Sequence, residues 1–208
     1  MKVTLERYTA DADGICGEAA AVCTGSTNPE KSLEHSLASG HESIVEHASF
    51  TFKIVGVSRV LLAQLTRHRI ASFSVMSQRY VNQENCDIII PKPIQGELRE
   101  KAIALAEESR NLYKEMLNAD INQEDARYIL LQGCTTVLYV TMNGRELRHF
   151  FSLRCCNRAQ WEIREMADKM LKLAKEAAPR IFQNAGTNCV SGKCTEKKPC
   201  GHPRNHIV

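Results

Sequence analysis

The run Ser49-Phe50-Thr51-Phe52-Lys53-Ile54-Val55 alternates apolar and polar side chains, and this period of two constrains the fold more than any other stretch. Only a strand sends successive side chains to opposite faces, so the run belongs in a sheet with one face against a core. A second β-rich run, Thr135-Thr136-Val137-Leu138-Tyr139-Val140-Thr141, ends near the strand-punctuating pair Asn143-Gly144. An opening strand is expected over residues 2–7.

Elsewhere the apolar period moves toward 3.6. Short helices are expected up to residue 38, one beginning at Thr27-Asn28-Pro29, where proline fits the first turn. Gly40 breaks the chain before His41. A helix over 57–68 groups Val60, Leu61, Gln64 and Leu65 on one face. Beyond the loop marked by Pro91 and Pro93, a long helix is expected over 95–117. Its expected core stripe is Ile103, Leu105, Ala106, Leu112, Met116 and Leu117. A short helix over 123–131 and helices over 145–153 and 159–178 follow, the last stopped by Pro179. In that last helix Ile163, Met166, Ala167, Met170, Leu173, Ala174 and Ala177 keep helical spacing, with Trp161 packed at its start. Helices outnumber strands and do not alternate with them regularly. The expectation is an α+β fold, a single domain of helices with a small, largely antiparallel sheet, not a doubly wound one.

The 208 residues, 43% hydrophobic and 25% charged, can bury one core. A net charge of +3 is too small to argue for nucleic acid by itself. No stretch approaches the roughly 18 apolar residues of a membrane helix, and the start lacks the apolar core of a secretory signal. A cytoplasmic protein without a membrane partner is expected. The nine cysteines are odd in number and unevenly placed, unlike a secreted disulfide framework. Cys189, Cys194 and Cys200 lie near His202 and His206, but their spacing lacks the tight Cys-x-x-Cys knuckle of structural zinc modules. No metal site is assigned, and a mobile or redox-active tail over 186–208 is expected.

Charge gives the first functional signal. Between His47 and Gln83 there is no Asp or Glu, yet Lys53, Arg59, Arg67, Arg69 and Arg79 are present. A guanidinium without a nearby carboxylate suits another anion, and its planar fork matches phosphate. Arg145, Arg148, Arg154, Arg158 and Arg164 form a second group. These arginines alternate with apolar residues and lie beside His68, Ser77, Gln78 and Asn143, which suits a pocket for phosphorylated ligands better than a free surface. There is no Walker loop, no Gly-x-Gly-x-x-Gly turn and no serine in a nucleophile elbow. A nucleotide must therefore be held by side chains and helix ends.

Arg67-His68-Arg69, seven intervening residues and Ser77-Gln78-Arg79 resemble the signature of the flavin-dependent thymidylate synthases. Gly40-His41-Glu42-Ser43-Ile44-Val45-Glu46-His47, followed by Phe50-Thr51-Phe52, resembles the upstream histidine motif of that family. Glu124-Asp125-Ala126-Arg127, Asn143-Gly144-Arg145-Glu146-Leu147, and Leu153-Arg154 through Ala159-Gln160-Trp161-Glu162-Ile163-Arg164 match in order. The resemblance covers about residues 1–185 and leaves out the tail.

The resemblance implies conversion of dUMP to dTMP, with FAD as cofactor, methylenetetrahydrofolate as one-carbon donor and NADPH as reductant. It implies a homotetramer whose sites are shared between subunits. Arg67, His68 and Arg69 would hold FAD, joined by Ser43, Glu46, Asn143, Arg145 and His149. Gln64, Ser77, Gln78, Arg79, Arg127 and Arg154 would bind dUMP, and His41 would lie by flavin and folate. Arg154 would be the catalytic cation. Two positions depart from the pattern: Val75 stands where an acid is common, and Arg158 where a histidine is common. Plainer roles compete at some positions. His47 could satisfy a buried hydrogen bond, His149 could cap its helix, and Glu124 could pair with Arg127 three positions on. Two other classes compete with the whole reading. One is a nucleic-acid module using the arginines on phosphate backbones; the other is a redox or zinc protein organised by the tail cysteines. Each leaves the ordered motifs unexplained.

Overall fold

A computed structural model describes residues 1–192 and 194–204. Four strands, β1 (Lys2–Tyr8), β2 (Ser49–Ser58), β3 (Ala71–Val75) and β4 (Thr135–Asn143), form one sheet in the order β1-β2-β4-β3. Antiparallel register is visible at the edges of β2. The Thr9 N–H donates to Ser49 O, and the Gly144 N–H donates to Ala48 O. The hydroxyls of Thr51 and Thr141 meet at 2.9 Å across β2 and β4. The alternation in β2 is realised, with Phe50, Phe52 and Ile54 buried while Thr51 and Lys53 are half-buried. Mixed helices with a small antiparallel sheet make this an α+β fold.

By residue contacts the chain sorts into two compact units, neither contiguous in sequence. The first takes residues 1–2, 54–66 and 74–138, and the second takes 3–53, 67–73 and the chain from 139 onward.

In the first unit, α3 (Arg59–Leu65) begins two residues later than expected because β2 runs on through Ser58. The Ser58 hydroxyl then caps the helix, accepting the Leu61 N–H at 3.0 Å. The long helix α4 (Gly96–Asn118) forms as expected, but its buried strip is Ala106, Ser109 and Tyr113. Tyr113 is fully buried, and the Ser109 hydroxyl donates to Ile129 O at 2.7 Å. Of the expected stripe only Ala106 is buried. Leu98, Leu105 and Leu112 are 69%, 54% and 46% exposed, and Ile103 is exposed as well. The apolar pattern marked a face that the described residues leave uncovered. A short α5 (Gln123–Ala126) continues as a 3-10 turn over Arg127–Ile129.

The second unit packs α1 (Ala12–Thr24), α2 (Pro29–Ala38), a 3-10 helix over Glu42–His47, α6 (Gly144–Arg154) and α7 (Trp161–Ala177). Asn28 caps α2 through the Lys31 N–H at 3.1 Å, with Pro29 in the first turn, as the sequence led one to expect. Phe50, Phe151 and Phe182 meet edge to face in the core. The buried face of α7 is Ile163, Met166, Ala167, Met170, Leu171 and Ala174, close to the expected stripe. Gly144 fixes where α6 starts. A Cβ there would fall 2.6 Å from Val45 O, so only glycine lets α6 abut the 3-10 helix this closely. β3 was not anticipated; five residues beside a charged triplet carry too little alternation to read.

Candidate functional site

The second unit holds a polar chain built on α6. Asn143 caps the helix by accepting the Glu146 N–H at 2.8 Å, which sets Glu146 in the first turn. The Glu146 carboxylate lies 3.0 Å from His68 Nδ1, and both residues are buried, at 7% and 5% exposure. On the far side of the ring, Arg154 Nε donates to His68 Nε2 at 3.0 Å. A guanidinium can only donate, so Nε2 accepts and the ring proton sits on Nδ1, facing the carboxylate. Burial is the main cause that lowers the His68 pKa. The hydrogen bond to Glu146 opposes it, and the Arg154 charge adds to it. The neutral imidazole is therefore the resident form. Burial and then the neighbouring Arg67 also lower the Arg154 pKa, although a guanidinium remains charged.

Around this chain, Arg67 and Arg69 are exposed and make no ion pair among the described residues. Ser43, His41 and His149 are exposed too. Glu46 and Arg145 pair with each other at 2.5 Å, so two expected site residues satisfy one another in this state. Arg148 pairs with Glu42 at 2.8 Å and donates to Ile181 O. A polar cavity of about 590 Å³ here is lined by Glu42, Arg148, His149, Ser152 and Asn184, among others. His47 is exposed, and no buried hydrogen bond of its side chain is found among the described residues.

The first unit gathers a different set. Gln78 and Arg127 line a cavity of about 490 Å³ together with Arg59, Thr66 and Tyr128, and among the described residues no carboxylate lines it. Arg59 had no role assigned from sequence, although it stands in the acid-free stretch that singled out its neighbours. It reaches Met76 O and the Thr136 hydroxyl, and burial lowers its pKa. Gln64, Ser77 and Arg79 are in the same unit but do not line this cavity. The Ser77 hydroxyl accepts the Arg79 N–H at 3.1 Å. Arg79 pairs with Glu124 at 2.6 Å, so the carboxylate missing nearby in sequence arrives through folding. Glu124 thus serves Arg79 through its side chain and Arg127 only through its backbone carbonyl, at 3.0 Å. The residues expected to contact dUMP therefore fall in the first unit, except Arg154. Those expected to contact FAD fall in the second.

The described tail is anchored. Arg204 forks onto Asp168 at 2.9 and 3.1 Å and donates to Cys155 O at 2.6 Å. Asn157 holds His202 O at 2.7 Å, and Arg158 engages Glu196 and the Lys198 carbonyl. Arg158, one of the two departures, thus has a local task. Cys189, Cys194 and Cys200 are free thiols lining one cavity of about 320 Å³, while His206 lies outside the described residues. Among the described residues no group of three or more His, Cys, Asp or Glu side chains is placed to hold a metal ion. Among them, too, no helix is long and apolar enough to cross a membrane.

A family model described as thymidylate synthase complementing protein matches residues 4–180. Among curated relatives, a flavin-dependent thymidylate synthase of Geobacter sulfurreducens is 40% identical over 212 residues, covering 94% of this chain and 91% of that one. A protein of the same name from Pyrococcus furiosus is 50% identical over 179 residues, covering 81% and 73%. One from Clostridium tetani is 38% identical over 226 residues, covering 94% and 91%.

Proposed function

The chain belongs to the flavin-dependent thymidylate synthase family, and from that premise we propose that it methylates dUMP to dTMP with FAD as cofactor, methylenetetrahydrofolate as one-carbon donor and NADPH as reductant. The observation that carries this reading is the pair of exposed guanidiniums, Arg67 and Arg69, flanking the buried His68 without an ion pair among the described residues. A pyrophosphate-bearing cofactor offers the oxygens that such forks match, so the donor set fits FAD. Ser43, Glu46, Asn143, Arg145 and His149 would supply further contacts, with the Arg145–Glu46 pair available to exchange one partner for the ligand. When bound, FAD supplies the hydride chemistry.

The chain's own residues supply position and charge. Gln64, Ser77, Gln78, Arg79 and Arg127 would hold dUMP, Ser77 and Arg79 at its phosphate, with Arg59 adding a cation to the cavity wall. Arg154 would lie by the pyrimidine. A fixed positive charge there favours a ring ionised at N3, which raises electron density at C5, where the carbon is added. His41 would lie by flavin and folate. The assembly is a homotetramer on this reading, and the uncovered leucines of α4 support a contact between copies. The compartment is the cytoplasm.

Purified protein reconstituted with FAD should show a flavin absorption spectrum and oxidise NADPH faster when dUMP is added. Folded protein that retains no flavin under any condition ends this reading.

A further inference from the structure

We infer that Glu146 is a positioning residue for Arg154, acting through the His68 ring to fix where that guanidinium points. The inference rests on the proposed reaction, in which Arg154 is the activating cation. Glu146 and Arg154 stand at opposite ends of α6, eight residues or about 12 Å apart along the axis, beyond direct contact. His68 comes from a different segment and spans the gap, Nδ1 to the carboxylate and Nε2 to the guanidinium, each at 3.0 Å. The carboxylate is itself fixed, because Asn143 holds the Glu146 N–H and Gly144 seats the helix start against Val45.

The logic is one of tautomers. A neutral imidazole can carry its proton on either nitrogen, and only the Nδ1–H form leaves a lone pair toward Arg154. A carboxylate at Nδ1 selects that form. Without it, an Nε2–H would face the Arg154 N–H, and the guanidinium would turn away. Protonation of the ring has the same effect. The titratable groups facing the ring are Glu146, His149 and Arg154, all from α6, and Arg67 presses on Arg154 from the segment of His68 itself. The site therefore works above the depressed His68 pKa and fails as pH falls through it. Replacing the carboxylate by an amide removes the group that holds this pKa up, so the acid limb moves to lower pH.

The test pairs two variants with two readouts. Glu146→Gln keeps an acceptor for Nδ1–H without the charge; Glu146→Leu removes both. With histidine ¹⁵N-labelled, NMR of the protein without ligands reads the His68 tautomer independently of turnover. Nδ1–H is expected in the unaltered protein and in Glu146→Gln, and not in Glu146→Leu. In turnover, Glu146→Leu should lose about 10²-fold in kcat, the scale of a misplaced catalytic group, with the loss falling mainly on kcat and less on KM for dUMP or on flavin content. Glu146→Gln should shift the acid limb of the kcat profile downward. An Nε2–H tautomer in the unaltered protein overturns the proposal, as does a Glu146→Leu enzyme with kcat within twofold of normal. If Glu146→Leu does not fold, an acid limb unmoved in Glu146→Gln does the same. Absence of dUMP-dependent turnover in the unaltered protein sinks the functional reading and this proposal together. Normal turnover with the wrong tautomer overturns this proposal alone.

Discussion

Arg154 is followed directly by Cys155 and Cys156, and a thiolate beside a guanidinium is a natural nucleophile. The fold removes Cys155 from that role. It is fully buried, and burial, followed by the charge of Asp168, drives its pKa well above the ordinary thiol range. A protonated, buried thiol does not attack a pyrimidine, and its backbone carbonyl is already committed to Arg204. Arg154, half-buried and held at Nε, keeps its charge where the thiol loses its own. Joint replacement Cys155→Ala and Cys156→Ala should therefore leave most of the activity. Arg154→Ala should keep the flavin spectrum and lose dTMP formation by about 10²–10³, as for removal of one electrostatic donor. A covalent adduct between dUMP and either cysteine, seen by mass spectrometry, would reverse these assignments.

At the scale of elements, the tail contributes to the junction between α6 and α7. Arg204 ties Asp168 of α7 to the carbonyl of Cys155, just past the end of α6, while Arg158 and Asn157 hold two more tail carbonyls. Together these contacts brace the turn that follows Arg154. The Arg204–Asp168 fork is only about a quarter exposed on each side, so solvent screens it less than a surface pair. Asp168→Asn should cost on the order of 1 kcal/mol, read as a lower melting temperature, and should speed proteolysis after residue 186. A melting temperature unchanged in Asp168→Asn would mean that the fork contributes nothing to the junction.

For the molecule as a whole, the outer face of α4 is an apolar surface that the described residues leave uncovered. Leu98, Leu105 and Leu112 recur every seven residues and stay exposed, the spacing by which helices from two chains meet along a seam. The proposed tetramer would cover them. Leu105→Glu should shift the mass seen by light scattering toward smaller species. If each site draws on several subunits, mixing Arg67→Ala with Arg79→Ala protein should restore partial activity, because those lesions lie in different motif blocks. A monomeric, fully active enzyme would contradict both expectations.

The sequence by itself determined the elements whose signals are local. The period of two in β2, the cap at Asn28-Pro29 and the buried stripe of α7 were legible because neighbours in sequence are neighbours on a strand or helix. It also offered residues for the candidate site, but gave Arg59 and Glu146 no role in it. It could not say which of them pair. The stretch from His47 to Gln83 holds no acid, yet Arg79 finds Glu124 from 45 positions away and His68 finds Glu146 from 78. Hydrogen bonds and Coulomb attraction depend on distance in space, so chain separation hides them. The same holds for α4, whose apolar residues are equally apolar whether the covering surface is this chain's core or another copy. Only the tertiary structure decided that Ala106, Ser109 and Tyr113 face inward while the leucines face out, because burial is a property of what packs against a residue.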